Sequence, residues 1–168
     1  MESVSKYIEP EAMTPDPEAG DRRSHSTKRA FTGFGASLLL VLAFVLFFHF
    51  NFTTVIVSGP SMSPTLKNGK KVLVSKAYWL VGPIEDGDIV VIKQHDGPDG
   101  FIIKRVYKMA GETVDTLNAP VSRKLTDGPY LVAEGDAYVL GDNRSVSEDS
   151  RKFGAVSISG ILGKVVAY

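Results

Sequence analysis

The feature that most constrains this chain is an uncharged apolar run at residues 31–50, which contains no Asp, Glu, Lys or Arg. As an α-helix this run would reach about 30 Å, the thickness of the hydrocarbon core of a bilayer. A cleavable signal peptide has a shorter apolar core, of about 7–15 residues, and ends in small side chains, whereas this run ends in Phe47, Phe48 and Phe50. A buried helix of a soluble protein usually shows a polar face. We therefore predict a transmembrane anchor at residues 30–51.

The residues that flank the anchor predict its orientation. Residues 1–29 hold three prolines and six acidic residues but few large apolar side chains, so we expect a disordered tail. The tail ends in four basic residues, Arg22, Arg23, Lys28 and Arg29. The next basic residue after the anchor is Lys67. The positive-inside rule then puts the tail in the cytoplasm and residues 52–168 on the extracytoplasmic side of the cell (inner or plasma) membrane.

Residues 52–168 have the pattern of a β-sheet domain. Short runs rich in Val, Ile and Tyr, such as DIVVIK and FIIKRVYKM, alternate with turn dipeptides such as Asn68-Gly69 and Asp86-Gly87. No stretch between them repeats the helical period for long enough to cover a parallel sheet. The predicted fold class is mainly β, with one N-terminal transmembrane helix followed by an antiparallel, partly closed sheet.

The composition narrows the chemistry of this domain. Basic and acidic residues number 19 each, so the charge predicts no nucleic acid partner. The absence of cysteine excludes disulfides, thiolate metal sites and a cysteine nucleophile. His25 falls in the tail and His49 in the anchor, so only His95 is exported, within a predicted exposed turn. A metal site with several histidines is thereby excluded, and a Ser-His-Asp enzyme would depend on His95 alone.

The segment SGPSMSPTLKNG, residues 58–69, is the first candidate for a site. It follows a predicted strand, and its Gly and Pro residues form a tight turn around Ser61. Such a turn can present a hydroxyl beside free backbone N–H groups, as acyl transfer requires. Loops of this composition are nevertheless more often structural than catalytic.

The segment FIIKRV, residues 101–106, places two cations side by side on a strand. Lys104 and Arg105 point to opposite faces because side chains alternate along a strand. If Lys104 faces inward, burial lowers the pKa of its ammonium and a neutral amine becomes available as a general base. The alternative is an edge strand from which the lysine extends into solvent.

The segment GDNRSVSEDSRKFG, residues 141–154, is rich in charge. One interpretation is an exposed, solvated loop. The other is a network of ion pairs that makes the loop rigid enough to support an active site. The side chains available for such pairs are Asp142, Arg144, Asp149 and Arg151.

Together the three segments, in this order after an N-terminal span, resemble the signature boxes of type I signal peptidases (leader peptidases). The resemblance rests on SGPSMSPTL, IIKRVYKMAGE and GDNRSVSEDSRKFG and covers the anchor and nearly all of residues 52–168. It implies Ser61 as nucleophile, Lys104 as general base and Ser147 as the residue that orients the lysine. It also assigns supporting structural roles to Asp142, Arg105, Asp149 and Arg151.

The same resemblance implies the substrate and the rest of the site. The Ser61 backbone N–H would be one oxyanion donor, and because Gly59 stands where some members have a hydroxyl, the second would be the Gly59 backbone or a water. Substrates would be the signal peptides of exported preproteins, cut after a small-x-small motif such as Ala-x-Ala. Met62, Ile102 and Ile103 would contact them. The resemblance implies a compact, mostly antiparallel domain of coiled sheets, and we expect a monomer beside the lipid bilayer, without metal or cofactor.

Other functions stay open at this stage. A self-cleaving repressor uses a similar Ser-Lys pair, but the apolar span argues against it. A conjugation-type peptidase with one dedicated substrate and a mitochondrial inner-membrane peptidase are closer alternatives. A catalytically inactive, anchored binding module is a further alternative, against which the intact Ser61 and Lys104 argue.

Overall fold

The computed structural model describes residues 22–93 and 100–168, and the chain divides into two units, Met1–Val45 and Leu46–Tyr168. Helix α1 covers Arg22–Asn51. It therefore begins eight residues before the predicted anchor at residue 30, because no proline or glycine interrupts residues 22–32. The rest of the predicted tail, residues 1–21, lies outside the described residues. Within α1, Phe34–Asn51 has the length and composition of a membrane span, with a mean hydropathy of 2.1.

After the last residues of α1, the described part of the second unit consists of short strands and two short helices. In chain order the elements after α1 are β1 (Phe52–Ile56), β2 (Lys71–Ser75), α2 (Tyr78–Val81), β3 (Ile89–Lys93), β4 (Phe101–Met109), β5 (Thr113–Val114), β6 (Tyr130–Leu131), β7 (Asp136–Leu140), α3 (Ser150–Phe153), β8 (Val156–Ser157) and β9 (Ile161–Ala167). Single 3₁₀ turns lie at Leu125–Asp127 and Ile158–Gly160.

Seven of these strands form one sheet in the order β1-β2-β9-β3-β4-β7-β8, and β5 pairs with β6. The pairings are antiparallel. The prediction of a mainly β, mostly antiparallel domain is therefore confirmed. The central strand β3 is apolar on both faces: Ile89 and Val91 pack into one core cluster, and Val90 and Ile92 into another. A sheet covered on both faces in this way curls around its cores.

The pairing of β4 leaves part of its backbone edge free. Its first half, residues 101–105, pairs with β3, and its second half, from Arg105 to Met109, pairs with β7. Among the described residues, 101–104 therefore have a strand partner on one side only. Strand β1 stands at the end of the sheet and has an unpaired edge as well.

Candidate active site

The turn that carries Ser61 is held by its own backbone and by the core. Gly59 adopts a φ of 85°, a conformation that glycine reaches without strain, and this directs the chain out of β1. Its N–H donates to the side-chain oxygen of Asn68 at 2.9 Å. The side chains of Met62 and Leu66 fill the core directly after the nucleophile position. The turn is thus attached at both ends, while Ser61 stays partly exposed.

Ser61 and Lys104 meet across the site. The Lys104 Nζ donates a hydrogen bond to the Ser61 Oγ at 3.1 Å. Lys104 is only 4% exposed, so it is the inward-facing cation of the pair on β4 and does not extend into solvent. Burial lowers the pKa of its ammonium below the ordinary lysine value, although the carboxylates of Asp149 and Glu148 partly offset this. The contact has the geometry of a hydroxyl nucleophile beside an amine base.

The predicted oxyanion donors are the backbone N–H of Ser61 and, as the second donor, either the Gly59 backbone or a water. Among the described residues, no acceptor pairs with the Ser61 N–H, which stays available. The Gly59 N–H, one of the two alternatives predicted for the second donor, already donates to the Asn68 side-chain oxygen in this structure. The Asn143 N–H donates to the Ser61 carbonyl oxygen at 2.9 Å and fixes the peptide on the other side of the nucleophile.

Ser147 is buried beside the nucleophile but does not bond to Lys104. Its Oγ makes no close hydrogen bond within the described part of the chain, although it interacts with the Asp149 carboxylate. Its position follows from Gly141: a Cβ there would lie 2.1 Å from the Ser147 Oγ and 2.7 Å from the Ser61 carbonyl oxygen. The predicted contact between Ser147 and Lys104 is absent among the described residues, where the Lys104 Nζ donates to the Ser61 Oγ.

An ion pair between Asp149 and Arg151 stabilises the C-terminal end of the charged loop. The Asp149 side chain is fully buried and accepts from the Gly141 N–H at 3.0 Å. Arg151 donates to both of its oxygens, at 2.9 and 3.0 Å, and also to the Arg144 carbonyl oxygen at 2.7 Å. Burial raises the pKa of the Asp149 carboxyl, but Arg151 and the Gly141 N–H outweigh burial and lower it overall. An ion pair and backbone contacts therefore hold this end of the loop, while Arg144, Ser145 and Val146 stay exposed to solvent.

Arg105 and Asp142 attach the start of the same loop to β4. Arg105 donates to the two carboxylate oxygens of Asp142 at 2.8 and 2.7 Å, and to the Gly87 carbonyl oxygen at 2.7 Å. Burial raises the pKa of the Asp142 carboxyl, but the bonds from Arg105 contribute to lowering it overall. The ion pair therefore fixes the start of the loop to Arg105, the β4 residue directly after Lys104.

Sequence reasoning missed the residues that support this loop from outside. Arg144 donates to the Asn118 side-chain oxygen at 2.7 Å, and its guanidinium lies over the Tyr107 ring at 5.5 Å. The Tyr107 hydroxyl donates in turn to Asp115. No local spacing signals these contacts, because they join segments that are distant in the chain.

A small cleft of about 100 Å³ opens beside Ser61 and Lys104. Its other lining residues are Val55, Ile56, Ser58, Phe101, Ile102 and Ile103. Ile102 and Ile103 thus lie where contact with a substrate was predicted. Met62 does not: it is 1% exposed, because the turn directs its side chain into the core.

Two further sequence expectations concern histidine and metals. His95 lies outside the described residues. In the ranges 22–93 and 100–168, no three His, Asp or Glu side chains are grouped so that they would hold a metal ion.

Comparison with known proteins identifies the family. The family model of signal peptidases, peptidase S26, matches residues 31–124 and 118–168. Signal peptidase IB of Staphylococcus aureus (strain COL) is 32% identical over 161 residues, which cover 75% of this chain and 83% of the relative. Signal peptidase I of Bacillus caldolyticus is 35% identical over 144 residues, 69% of this chain and 78% of the relative.

A crystal structure of a signal peptidase I from Enterococcus faecalis V583 aligns with a TM-score of 0.38 and 24% identity, over 49% of this chain and 96% of that chain. The assignment rests on the family model and the sequence relatives, which together span the apolar helix and the sheet domain. This chain belongs to the signal peptidase family, peptidase S26, and is a serine peptidase.

Proposed function

We propose that this chain removes N-terminal signal peptides from exported preproteins, with Ser61 as nucleophile and Lys104 as general base. The single observation that carries the proposal is the 3.1 Å contact between the Ser61 Oγ and the buried Lys104 Nζ. An ordinary lysine is almost fully protonated at neutral pH and cannot accept a proton. The lowered pKa of Lys104 is what equips this amine for the role.

The proposed reaction proceeds in two steps. Neutral Lys104 accepts the proton of the Ser61 hydroxyl as its Oγ attacks the scissile carbonyl carbon, and the free Ser61 N–H stabilises the developing oxyanion. The Lys104 ammonium then donates its proton to the leaving amine, which leaves an acyl ester on Ser61. Water attacks this ester with Lys104 again as base, and the signal peptide is released as a carboxylic acid.

The free edges of β1 and β4 support an extended substrate. Both strands border the cleft, β1 through residues 55 and 56 and β4 through residues 101–104. A peptide strand that enters between them would hydrogen-bond to the backbone of either edge, and side chains at alternate positions would face the cleft. A cleft of about 100 Å³ lined by Ile102 and Ile103 favours small apolar side chains. We therefore propose cleavage after a small-x-small motif such as Ala-x-Ala.

The charged loop is proposed to position the reacting pair. Arg105 with Asp142 and Arg151 with Asp149 hold the loop so that Asn143 reaches the Ser61 carbonyl. Ser147 keeps its proposed orienting role for a different reason. Its buried hydroxyl makes no close hydrogen bond among the described residues and interacts with the Asp149 carboxylate, and we propose that it turns to the Lys104 ammonium once the Ser61 proton has moved.

The apolar helix is proposed to hold the site at the extracytoplasmic surface of the membrane. Phe34–Asn51 fits a single pass, and the basic residues before it place the N-terminus in the cytoplasm by the positive-inside rule. Strand β1 begins directly after the helix, so only the nine residues 52–60 separate the helix from Ser61 in the chain. Anchoring raises the effective concentration of the enzyme at membrane-bound preproteins.

The direct test is to incubate the purified chain, in detergent, with several preproteins and to sequence the new N-termini. We expect cleavage after small-x-small motifs by the wild type and none by Ser61→Ala. Ser63→Ala removes a hydroxyl from the same turn and is the matched control, which should retain activity. Cleavage by Ser61→Ala would contradict the nucleophile assignment, and cleavage of one preprotein alone would indicate a dedicated processing peptidase.

A further inference from the structure

Two cavities adjoin the charged loop, and the proposed reaction uses neither. The loop cavity, of about 300 Å³, is lined by residues 144–148 of the charged loop together with Val121. The β5–β6 cavity, of about 510 Å³, lies between these two strands and the segment that joins them, with Arg123 and Lys124 in its wall. Val121 lines both cavities and is 78% exposed, so the two cavities meet at this side chain.

The pairing of β4 directs a bound peptide toward the loop cavity. Strand β7 occupies one edge of β4 from Arg105 onward, and the same edge is free at residues 101–104. A peptide strand on the free edge is therefore in line with β7, and it must leave β4 at Lys104, where β7 ends at Leu140 and the charged loop begins. Because substrate residues before the scissile bond fill the cleft, those after it leave along the charged loop.

Hydrogen bonds attach the segment between β5 and β6 to the charged loop. The Val121 N–H donates to the Arg151 carbonyl oxygen at 2.9 Å. Arg144 donates to the Asn118 side-chain oxygen at 2.7 Å. Both cavities are therefore held in place by the fold itself, as is usual for a binding site that exists before its ligand arrives.

The charge of the cavities favours an anionic ligand. Three cations line them without forming an ion pair in the described part of the chain: Arg144, Arg123 and Lys124. The carboxylates that line the same cavities already have partners, because Glu148 pairs with Lys152 and Asp115 accepts from the Asn118 side chain. Cations left uncompensated along a groove attract segments of opposite charge.

We propose that the two cavities bind the first residues of the mature segment, which follows the cleavage site, and that they favour acidic side chains there. The inference rests on the proposed function and deepens it, because it adds a determinant of substrate choice on the leaving-group side of Ser61. The cleft then reads the signal peptide, and the two cavities read the protein that is released.

A set of matched peptide substrates tests the proposal with the full chain in detergent. All share one signal peptide with a small-x-small motif, followed by twelve mature residues that contain four Glu, four Gln or four Lys. Twelve extended residues span about 40 Å, enough to pass along both cavities. We expect kcat/KM to be about tenfold higher for the Glu substrate than for the Lys substrate at low salt. This ratio should fall as salt is added, because salt screens exposed charges.

A truncated substrate shows where the preference arises. Cutting the Glu and Lys substrates back to two mature residues should abolish the difference between them, since two residues do not reach the β5–β6 cavity. Equal kcat/KM values for the three long substrates, or a preference for the Lys substrate, would overturn the proposal.

A charge reversal locates the site on the protein. In Lys124→Glu we expect the Glu-to-Lys ratio to fall severalfold, and because both rates are measured on one preparation, any loss of folded protein cancels from the ratio. Lys76→Glu is the matched control: it makes the same charge change at another exposed lysine, outside both cavities, and should keep the wild-type ratio. An unchanged ratio in Lys124→Glu, or an equal fall in Lys76→Glu, would contradict the assignment.

The same assay separates this inference from the proposed function. If none of the substrates is cut after the small-x-small motif, both proposals are wrong. If all are cut there at equal rates, the proposed function stands and the binding of the mature segment is overturned alone.

Discussion

At the scale of single residues, the candidate site depends on a few close approaches between backbone and side chains. Ser61 and Lys104 were predicted from the resemblance of three sequence segments to signal peptidases, whereas the tight turn and the cation in an apolar strand by themselves left structural alternatives open. The hydrogen bond from the Gly59 N–H to Asn68 could not be predicted, because the sequence does not specify the path of the turn that joins the two residues. The burial of Met62 was missed for the same reason.

Gly141→Ala tests the closest of these approaches. The new Cβ would lie 2.1 Å from the Ser147 Oγ and 2.7 Å from the Ser61 carbonyl oxygen, so one of these groups must move. A displacement of about 1 Å at a reacting group costs on the order of 100-fold in rate, and we expect a loss of kcat of that size. Gly160→Ala is the control, because a Cβ there meets nothing within 4 Å. Equal kcat values for wild type and Gly141→Ala, measured on a signal-peptide substrate, would contradict this geometry.

At the scale of elements, the strands were easier to predict than their partners. The apolar runs that became β2, β3, β4 and β9 are visible in the sequence as Val- and Ile-rich segments. The insertion of β9 between β2 and β3 is not visible, because strand order depends on contacts between distant segments. Strand β4 pairs with β3 in its first half and with β7 in its second half, which leaves residues 101–104 with one unpaired edge. This could not be predicted for the same reason.

Asp149→Asn tests the ion pair with Arg151 that stabilises the charged loop. The fully buried Asp149 carboxylate is paired with Arg151, and loss of one partner of such a pair costs about 3 kcal/mol or more of unfolding free energy. We expect this loss in urea unfolding of the detergent-solubilised chain at neutral pH. The control is Glu148→Gln, whose ion pair with Lys152 is exposed and should change stability little.

The pH dependence of that stability has a defined sign. Because the pKa of folded Asp149 lies below the ordinary aspartate value of about 3.9, its contribution is complete above that pH. It is lost as the pH falls further, through the folded-state pKa. The difference in stability between wild type and Asp149→Asn should therefore shrink at acid pH, and a constant difference would contradict the assignment.

At the scale of the whole molecule, function depends on which side of the membrane the sheet domain occupies. The apolar span and the mainly β class were both predicted from sequence, because span length and strand composition are local properties. The start of α1 at Arg22 was not, since helix ends depend on weak propensities. The orientation stays a prediction based on the basic residues that precede the span.

Protease protection tests that orientation. Protease added to intact spheroplasts should digest residues 52–168 and spare a tag fused to Met1, because positive-inside charge retains the tail in the cytoplasm. Lysed spheroplasts, in which both parts are digested, are the control. Protection of the sheet domain with loss of the tag would reverse the orientation and separate Ser61 from exported preproteins.

The most direct test of the central claim is the pH dependence of kcat/KM, which reports the ionisation of the free enzyme. If buried Lys104 is the base, kcat/KM on a soluble signal-peptide substrate should rise with pH to a midpoint below about 10.4, the ordinary lysine pKa. Lys104→Arg should be inactive because a guanidinium does not lose its proton, and His95→Ala should keep the wild-type profile. A near-normal rate for Lys104→Arg, or loss of activity in His95→Ala, would contradict the Ser61–Lys104 mechanism.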